Sequence, residues 1–204
     1  MAVYRDQVLP RALDLWMRGA DVRQVRARVA AGMTGEVLEI GFGSGLNVPH
    51  YPAGVTRVVA VDPATVGRRL AATRIAAHGV AVEFAGPDAQ ALPVAGASTD
   101  FVLSTWTLCT IPDPGRALAE AYRVLRPGGA LHFVEHGLSP DVRVARVQHR
   151  LTPLHQRVVG GCHLDRPIAD LIAGAGFRLA RLENYYFHRP RAVGYTYEGV
   201  ATKP

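Results

Sequence analysis

Apolar residues recur at helical spacing through residues 3 to 31. The apolar positions of the first segment are Val8, Leu9, Ala12, Leu15 and Trp16. Pro10 is unfavourable inside a helix and predicts a kink or a late start. Gly19 predicts a break before a second helical segment at 21 to 31. The chain is therefore expected to begin with two helices.

After Gly32, short apolar runs alternate with helical stretches. Five runs are predicted to be strands, namely EVLEI, RVVAVDP, AVEFAGPDA, TDFVLSTWTL and ALHFVEH. Helical patterns occupy residues 64 to 79 and 113 to 129. The second of these has Asp113 as an N-cap and Pro114 at its first position. Strands that are apolar almost throughout and alternate with helices predict a parallel sheet covered on both faces.

The last third of the chain is predicted to be helical from 138 to 175 and then to form two strands. FRLARLENYYF and AVGYTYEGVAT, separated by HRPR, are typical of an antiparallel hairpin at a sheet edge. We predict an α/β fold with a doubly wound, Rossmann-like, mostly parallel sheet of seven strands, this edge hairpin and an N-terminal helical cap. One domain is expected, with an N-terminal helical part at 1–31, a central part at 34–136 and a C-terminal part at 137–204.

The composition excludes several classes of protein. The formal net charge is +6, which could indicate a nucleic-acid partner. The arginines are scattered, however, and the densest group, Arg23, Arg26 and Arg28, is typical of the exposed face of a helix. Two cysteines, Cys109 and Cys162, exclude a disulfide framework. With no signal sequence and no apolar stretch long enough for a membrane span, we expect a cytoplasmic protein.

Three glycines follow the first predicted strand, in the stretch EIGFGSGLN. Gly41, Gly43 and Gly45 stand at the turn where a parallel sheet usually binds a ligand. Asp62 ends the second predicted strand, 21 residues after Gly41, where a carboxylate can accept hydrogen bonds from ribose hydroxyls. A tight turn and a simple helix cap are the alternatives, but together the features favour a nucleoside ligand.

The spacing of the glycines differs from the dinucleotide pattern. That pattern is G-x-G-x-x-G, and Leu46 stands where its third glycine is required. Glu39 precedes the loop and Asn47 follows it. A carboxylate beside the loop suits a cationic ligand better than a pyrophosphate.

The motifs EIGFGSG, VDP, GPDAQALP and LRPGG together resemble the class I S-adenosylmethionine-dependent methyltransferases. The resemblance covers residues 34 to 136, which it makes the cofactor-binding core, with a helical cap at 1–31 and substrate-side helices and the edge hairpin at 137–204. It implies that the three glycines approach the methionine part of S-adenosylmethionine, that Asp62 holds the ribose, and that Asp88 accepts from the adenine amino group beside Ala89. The implied cofactor-binding residues are Glu39, Gly41, Gly43, Gly45, Asn47, Asp62, Pro63, Asp88, Ala89 and Ser104.

The later motifs FVEH, GGCHLDR and GYTYEGVATKP are similar to the methyltransferase-like seven branch of thiol methyltransferases, near the ubiquinone and menaquinone type of small-molecule methyltransferase. Members of that branch have a membrane-anchoring N-terminus, which this sequence lacks. We therefore expect an acceptor that is not associated with lipid.

Candidate acceptor residues are Trp106, His136, Cys162 and His163. Trp106 either forms a wall of the methyl pocket or belongs to the core. His136 either acts as a general base or is a hydrogen-bonded structural residue. Cys162 is expected to be a small buried residue, and the sequence spacing of Cys and His indicates no metal site.

The predicted function is methyl transfer from S-adenosylmethionine to a small-molecule acceptor, such as a thiol. The Asp/Asn-Pro-Pro-aromatic stretch of nucleic-acid amino methyltransferases is missing after the fourth strand, which argues against a base acceptor. The alternatives are a non-catalytic or regulatory nucleoside-binding protein and a nucleotide-dependent oxidoreductase. The N-terminal helices are expected to cover the acceptor pocket.

Overall fold

Seven strands form the centre of the computed structural model, which describes residues 4–204. The strands are β1 Gly35–Ile40, β2 Val55–Val61, β3 Ala81–Gly86, β4 Thr99–Thr105, β5 Leu125–His136, β6 Arg178–Tyr186 and β7 Tyr195–Thr202. They pair in the order β3-β2-β1-β4-β5-β7-β6, and β7 runs antiparallel to both of its neighbours. The predicted mostly parallel sheet with an antiparallel edge hairpin is confirmed.

Helices cover both faces of this sheet. They are α1 Leu9–Trp16, α2 Ala20–Ala30, α3 Thr65–His78, α4 Pro114–Val124, α5 Val142–Val158, α6 Ile168–Gly174 and α7 Arg191–Gly194. A π-helical turn, Tyr4–Val8, precedes α1. Asp113 caps α4 as predicted, because its carboxylate accepts from the backbone N–H of Arg116 at 3.0 Å. Gly19 separates α1 from α2.

Two boundaries differ from the sequence prediction. β5 begins at Leu125, directly after α4, because Leu125 already pairs with Thr99. The register then shifts before Ala130 pairs with Phe101, and Gly128 takes a φ of +77° within this irregular stretch. At the other end of the chain, β7 begins at Tyr195 because the preceding residues form the short helix α7.

The core has two parts because successive strand residues point to opposite faces. Leu38 belongs to the cluster under α4 and α6, whereas its neighbour Val37 belongs to the cluster under α2 and α3. Val25 and Val29 bring α2 onto the second cluster. Arg28 fastens the same helix to the sheet by bonding both carboxylate oxygens of buried Glu198 at 3.1 and 2.9 Å.

Candidate active site

A cleft of about 680 Å³ lies at the carboxyl ends of the parallel strands. Its walls come from the loops after β1, β2, β3 and β4, from the end of β5 and from residues 159 to 162 after α5. Residues of the N-terminal helices complete the lining, namely Leu9, Pro10, Leu13, Trp16, Met17 and Arg26. Of the predicted cap, residues 1–3 lie outside the described part of the chain.

The glycine loop presents its backbone to this cleft. Gly41 and Gly43 line it, and their φ angles of +77° and +53° are in the left-handed region that favours glycine. A Cβ on Gly41 would fall 1.9 Å from the Thr107 hydroxyl oxygen, so the loop packs tightly against the segment after β4. Gly45 does not line the cleft and packs against Ala71 instead.

Asp62 stands at the tip of β2 and lines the cleft with Pro63. Its carboxylate accepts from the backbone N–H of Gly43 at 2.8 Å and from that of Ala64 at 2.6 Å. Burial raises the pKa of this carboxyl, although the two backbone bonds oppose the shift. Asp62 therefore links the glycine loop to the start of α3.

Asp88 and Ala89 form the next part of the wall, after β3. Ala89 is buried, whereas Asp88 is exposed and accepts from the side-chain and backbone N–H groups of Gln90 at 2.9 and 2.8 Å. These two bonds lower the pKa of Asp88. An ionised acceptor therefore faces this end of the cleft.

Glu39 and Asn47 lie beneath the glycine loop and are not part of the cleft wall. Glu39 is 1% exposed and accepts from Asn47 Nδ2 at 2.6 Å and from the Tyr51 hydroxyl. Burial raises the pKa of Glu39 to about 7. On the other side of the network, Asn47 Oδ1 accepts from Arg26 at 2.7 Å.

Arg26 is a site residue that the sequence interpretation missed. It lies on α2, is 6% exposed and lines the cleft, where its guanidinium sits 4.9 Å from the centre of the Trp106 ring. Burial lowers its pKa to about 10. The available signal was periodicity, because Val22, Val25 and Val29 define the apolar face of α2 and Arg26 lies within it.

A buried carboxylate holds the segment after β4. Glu135 is fully buried and accepts from Ser104 Oγ at 2.7 Å and from the backbone N–H groups of Thr107 and Cys109 at 3.0 and 3.2 Å. Ser104 and Glu135 therefore support the wall from behind and do not face the cleft. Burial raises the pKa of Glu135.

Trp106 lines the cleft with its backbone in the left-handed region, at a φ of +52°. This conformation is uncommon for a bulky residue and is typical of functional sites. The Trp106 ring centre lies 6.2 Å from that of Phe187 and 6.5 Å from that of His136. Trp106 is therefore half-buried beside the cleft and not enclosed in the core.

His136, Cys109 and Cys162 meet on the same wall, although they are far apart in the sequence. The two sulfur atoms are 3.5 Å apart, and Cys162 Sγ lies 3.8 Å from His136 Nδ1. The hydrogen bond between the two thiols lowers the pKa of Cys162 and, together with burial, raises the pKa of Cys109. His163 does not line the cleft; its Nδ1 bonds Gln156 Nε2 at 2.9 Å.

The cleft is thus polar at one end and apolar at the other. Backbone groups and carboxylates follow β1, β2 and β3, while an aromatic ring, a histidine and two thiols follow β4, β5 and α5. Such a cleft can hold a nucleoside at the first end and a second small molecule beside it.

The sheet order and the glycine loop define the class of Rossmann-like methyltransferases. An S-adenosylmethionine-dependent methyltransferase from Thermotoga maritima has the same fold, with a TM-score of 0.71 and 23% identity over 100% of this chain and 99% of that chain. A family model described as a methyltransferase domain matches residues 38–133. The chain belongs to the class I S-adenosylmethionine-dependent methyltransferases.

Two thiol methyltransferases are similar to this chain over most of its length. Thiol S-methyltransferase TMT1A of Homo sapiens is 32% identical over 180 residues, which are 81% of this chain and 72% of that protein. Thiol S-methyltransferase TMT1B of Rattus norvegicus is 34% identical over 160 residues, which are 74% of this chain. The chain spans 64% of the length of the rat protein. Within residues 4–204, none of the helices combines the length and apolar character of a membrane span.

Proposed function

We propose that this protein transfers the methyl group of S-adenosylmethionine to a small-molecule thiol. The observation that carries the proposal is the cleft, in which the glycine loop and Asp62 share one enclosure with Trp106, His136 and two thiols. The names of the two relatives support the choice of a thiol acceptor. S-adenosylmethionine supplies an activated methyl group on a sulfonium, so the protein needs mainly to align and enclose the reactants.

The residues at the polar end fit this cofactor. Gly43 lacks a side chain where the loop faces the cleft, and the nearest atom to a Cβ there would be 3.9 Å away, so a ligand can approach this backbone. Asp62 would accept from the ribose hydroxyls, and Asp88 with Ala89 would hold the adenine. The buried network of Glu39, Asn47 and Arg26 would keep the loop in place and offer Arg26 as a cation to the amino-acid carboxylate.

The apolar end would hold the acceptor. Trp106 provides a flat wall, and His136 Nε2 is buried without a hydrogen-bond partner among residues 4–204. A thiol has an ordinary pKa near ~8.5 and ionises appreciably at neutral pH, so its deprotonation requires little help. A hydroxyl acceptor would require a stronger base.

We also propose that the protein works in the cytoplasm on a free small molecule. Both cysteines are free and buried, which favours a reducing compartment. The positive charge is distributed over the chain, so nucleic acid is not the proposed partner. The cap at 1–31 would exclude water from the methyl-transfer site and select the acceptor.

Calorimetry with S-adenosylhomocysteine tests the cofactor assignment. Wild-type protein should bind one equivalent, and Asp62→Ala should bind about 10- to 100-fold more weakly, because hydrogen bonds to a charged group contribute about 1.5–3 kcal/mol. The matched control is Asp170→Ala, an exposed aspartate on α6, which should bind like the wild type. Absence of binding to the wild type would refute the proposal.

A methyl-transfer assay then tests the acceptor class. Tritiated methyl groups should appear on small thiols at higher kcat/KM than on phenols, quinones or amines. Cofactor binding without transfer to any acceptor would favour a regulatory nucleoside-binding protein. Thermal stabilisation by NAD instead of S-adenosylhomocysteine would favour the oxidoreductase, although Leu46 already argues against it.

A further inference from the structure

Three chain segments bring two sulfur atoms and one imidazole together beside the cleft. Cys109 follows β4, His136 ends β5 and Cys162 follows α5. One ligand atom from each of the three residues can be chosen so that all lie within 4.8 Å of one another. The spacing of Cys and His in the sequence predicts no metal site. In the folded chain, however, metal ligands can come from separate segments, so they need not form a sequence motif.

Two of the three distances between the ligand atoms match the edges of a zinc tetrahedron, and the third is within 4.8 Å. Zn–S bonds of ~2.3 Å and Zn–N bonds of ~2.05 Å at a tetrahedral angle place two sulfur atoms roughly 3.8 Å apart, and sulfur and nitrogen roughly 3.6 Å apart. The observed separations are 3.5 Å between the sulfur atoms and 3.8 Å between Cys162 Sγ and His136 Nδ1. Thiolate and imidazole are also the ligand types that zinc prefers.

The two cysteines are buried, and hydrogen bonds hold their backbones in position. Cys109 and Cys162 are 1% and 2% exposed. The backbone N–H of Cys109 donates to buried Glu135 at 3.2 Å, and the Cys162 carbonyl is 3.1 Å from His155 Nδ1. Such supporting bonds orient ligands before a metal arrives.

We propose that Cys109, His136 and Cys162 form a zinc site with three protein ligands and a fourth position open to the cleft. All three residues line the cleft, as expected for an open site and not for a closed structural one. The charges balance, because two thiolates neutralise Zn²⁺ in this buried place. With Nδ1 bound to zinc, His136 Nε2 carries the ring proton, and this atom has no hydrogen-bond partner among residues 4–204.

The position of this site assigns it to the acceptor, which makes the inference rest on the proposed function. In the sheet, β5 lies three strands from β2, or about 14 Å at ~4.8 Å per strand. The three residues therefore lie on the far side of the cleft from β2, beside Trp106, whose ring centre is 6.5 Å from that of His136. A thiol acceptor takes the fourth position as a thiolate, displaces water and releases its proton to solvent.

The bound thiolate then reacts with the activated methyl group. A sulfur lone pair of the acceptor forms the new S–CH₃ bond, and the electrons of the broken C–S bond remain on S-adenosylhomocysteine. The product is a neutral thioether, which is a weaker ligand than a thiolate, so water can replace it. No oxidant or reductant is needed.

Metal analysis of the full-length protein tests the site without relying on activity. Protein produced with zinc, and purified with a reductant but without chelators, should contain about one zinc per chain by mass spectrometry. Cys109→Ser and Cys162→Ser should each contain at least tenfold less. The matched control is His149→Ala, a largely exposed histidine of α5, which should retain the zinc.

A second measurement uses the wild-type chain, so it remains decisive if the serine variants fail to fold. Cobalt should replace the zinc and produce thiolate-to-cobalt charge-transfer absorption. Zinc should protect both thiols from alkylation. A zinc-free chain with two reactive thiols, or with a Cys109–Cys162 disulfide, would overturn the inference, as would cysteine variants that keep full metal content.

The visible spectrum of the cobalt protein tests whether a thiol acceptor binds to the metal. Adding a small thiol to the cobalt protein should change the visible cobalt bands, and an unchanged spectrum would remove the fourth-ligand role. Calorimetry with S-adenosylhomocysteine separates the two proposals. Zinc without cofactor binding would overturn the methyltransferase assignment alone, whereas cofactor binding without zinc would overturn the metal site alone.

Discussion

At the scale of single residues, the site depends on buried polar groups that compensate one another. Glu39, Asn47 and Arg26 form a chain of hydrogen bonds beneath the glycine loop, and Glu135 holds the segment after β4. Each group is costly to bury alone, because its lost hydration must be replaced by protein partners. The removal of one member should therefore affect stability more than its few contacts suggest.

Arg26→Met is expected to destabilise the fold by about 3 kcal/mol, because it removes the guanidinium that donates to buried Asn47 Oδ1 and Thr105 Oγ1. Urea unfolding measures the change. Arg23→Met, an exposed substitution on the same helix, should stay within about 0.5 kcal/mol of the wild type. Equal effects of the two variants would contradict the role of Arg26.

Glu39 should make stability depend on pH in an unusual direction. Burial raises its pKa from 4.5 to about 7, so the folded protein keeps a proton that the unfolded chain releases between these pH values. Its stabilising contribution is complete below about pH 4.5 and is lost as the pH rises through about 7.

Glu39→Gln should remove this pH dependence, because glutamine does not titrate. The variant should gain stability relative to the wild type by on the order of 3 kcal/mol between pH 4.5 and 7, as measured by urea unfolding at several pH values. Glu183→Gln, at an exposed position of β6, should show a constant difference from the wild type. A difference for Glu39→Gln that does not vary with pH would disprove the assignment.

At the scale of elements, the N-terminal helices connect the sheet to the cleft. α2 is fixed by Val25, Val29 and the Arg28–Glu198 pair. α1 has fewer buried residues and lines the cleft with Leu13 and Trp16. An element with few buried contacts can move at low cost, which suits a segment that admits an acceptor.

Trp16→Ala is expected to raise the KM for the acceptor about tenfold while changing the Kd for S-adenosylhomocysteine less than threefold, because Trp16 of α1 lines the cleft and the proposed function assigns α1 to the acceptor side. Loss of the aromatic contact should weaken acceptor binding by about 1.4 kcal/mol, which corresponds to a tenfold change. Leu15→Ala is the control, since Leu15 is 72% exposed on the same helix and does not line the cleft. Steady-state kinetics gives the KM and calorimetry gives the Kd. Equal changes in KM for Trp16→Ala and Leu15→Ala would show that the Trp16 side chain does not select the acceptor.

At the scale of the whole molecule, one sheet joins all the parts of the site. The loops after β1 to β4 and the end of β5 meet at one edge, and both core clusters pack against the same strands. A ligand bound at this edge should therefore stabilise the entire sheet and not a single lobe.

S-adenosylhomocysteine at 100 times its Kd should raise the free energy of unfolding by about 2.7 kcal/mol, which corresponds to roughly 5–10 °C in Tm. Circular dichroism and the fluorescence of Trp16 and Trp106 should show one transition that shifts as a unit. Two separate transitions, with only one shifted by the ligand, would show that the cleft and the edge hairpin unfold independently.

The sequence by itself determined the elements and their type. Apolar runs, helical periodicity and local signals such as Gly19 and Asp113 act over a few residues, so the strands of the parallel core, the helices between them and the glycine loop could be predicted. The position of Asp62 at the tip of β2 also followed from local pattern, because a strand end and a loop length place it.

Only the tertiary structure decided which side chains share a surface. Arg26 lies on the apolar face that Val22, Val25 and Val29 define, but only the sheet that receives α2 places its guanidinium at the cleft. Cys109, His136 and Cys162 meet because β4, β5 and the turn after α5 end at the same edge. Glu39 and Asn47 lie beneath the loop because packing against Tyr51 and Arg26 satisfies their polar groups. Contacts between distant segments depend on the packing of the whole chain, and local pattern carries no record of them.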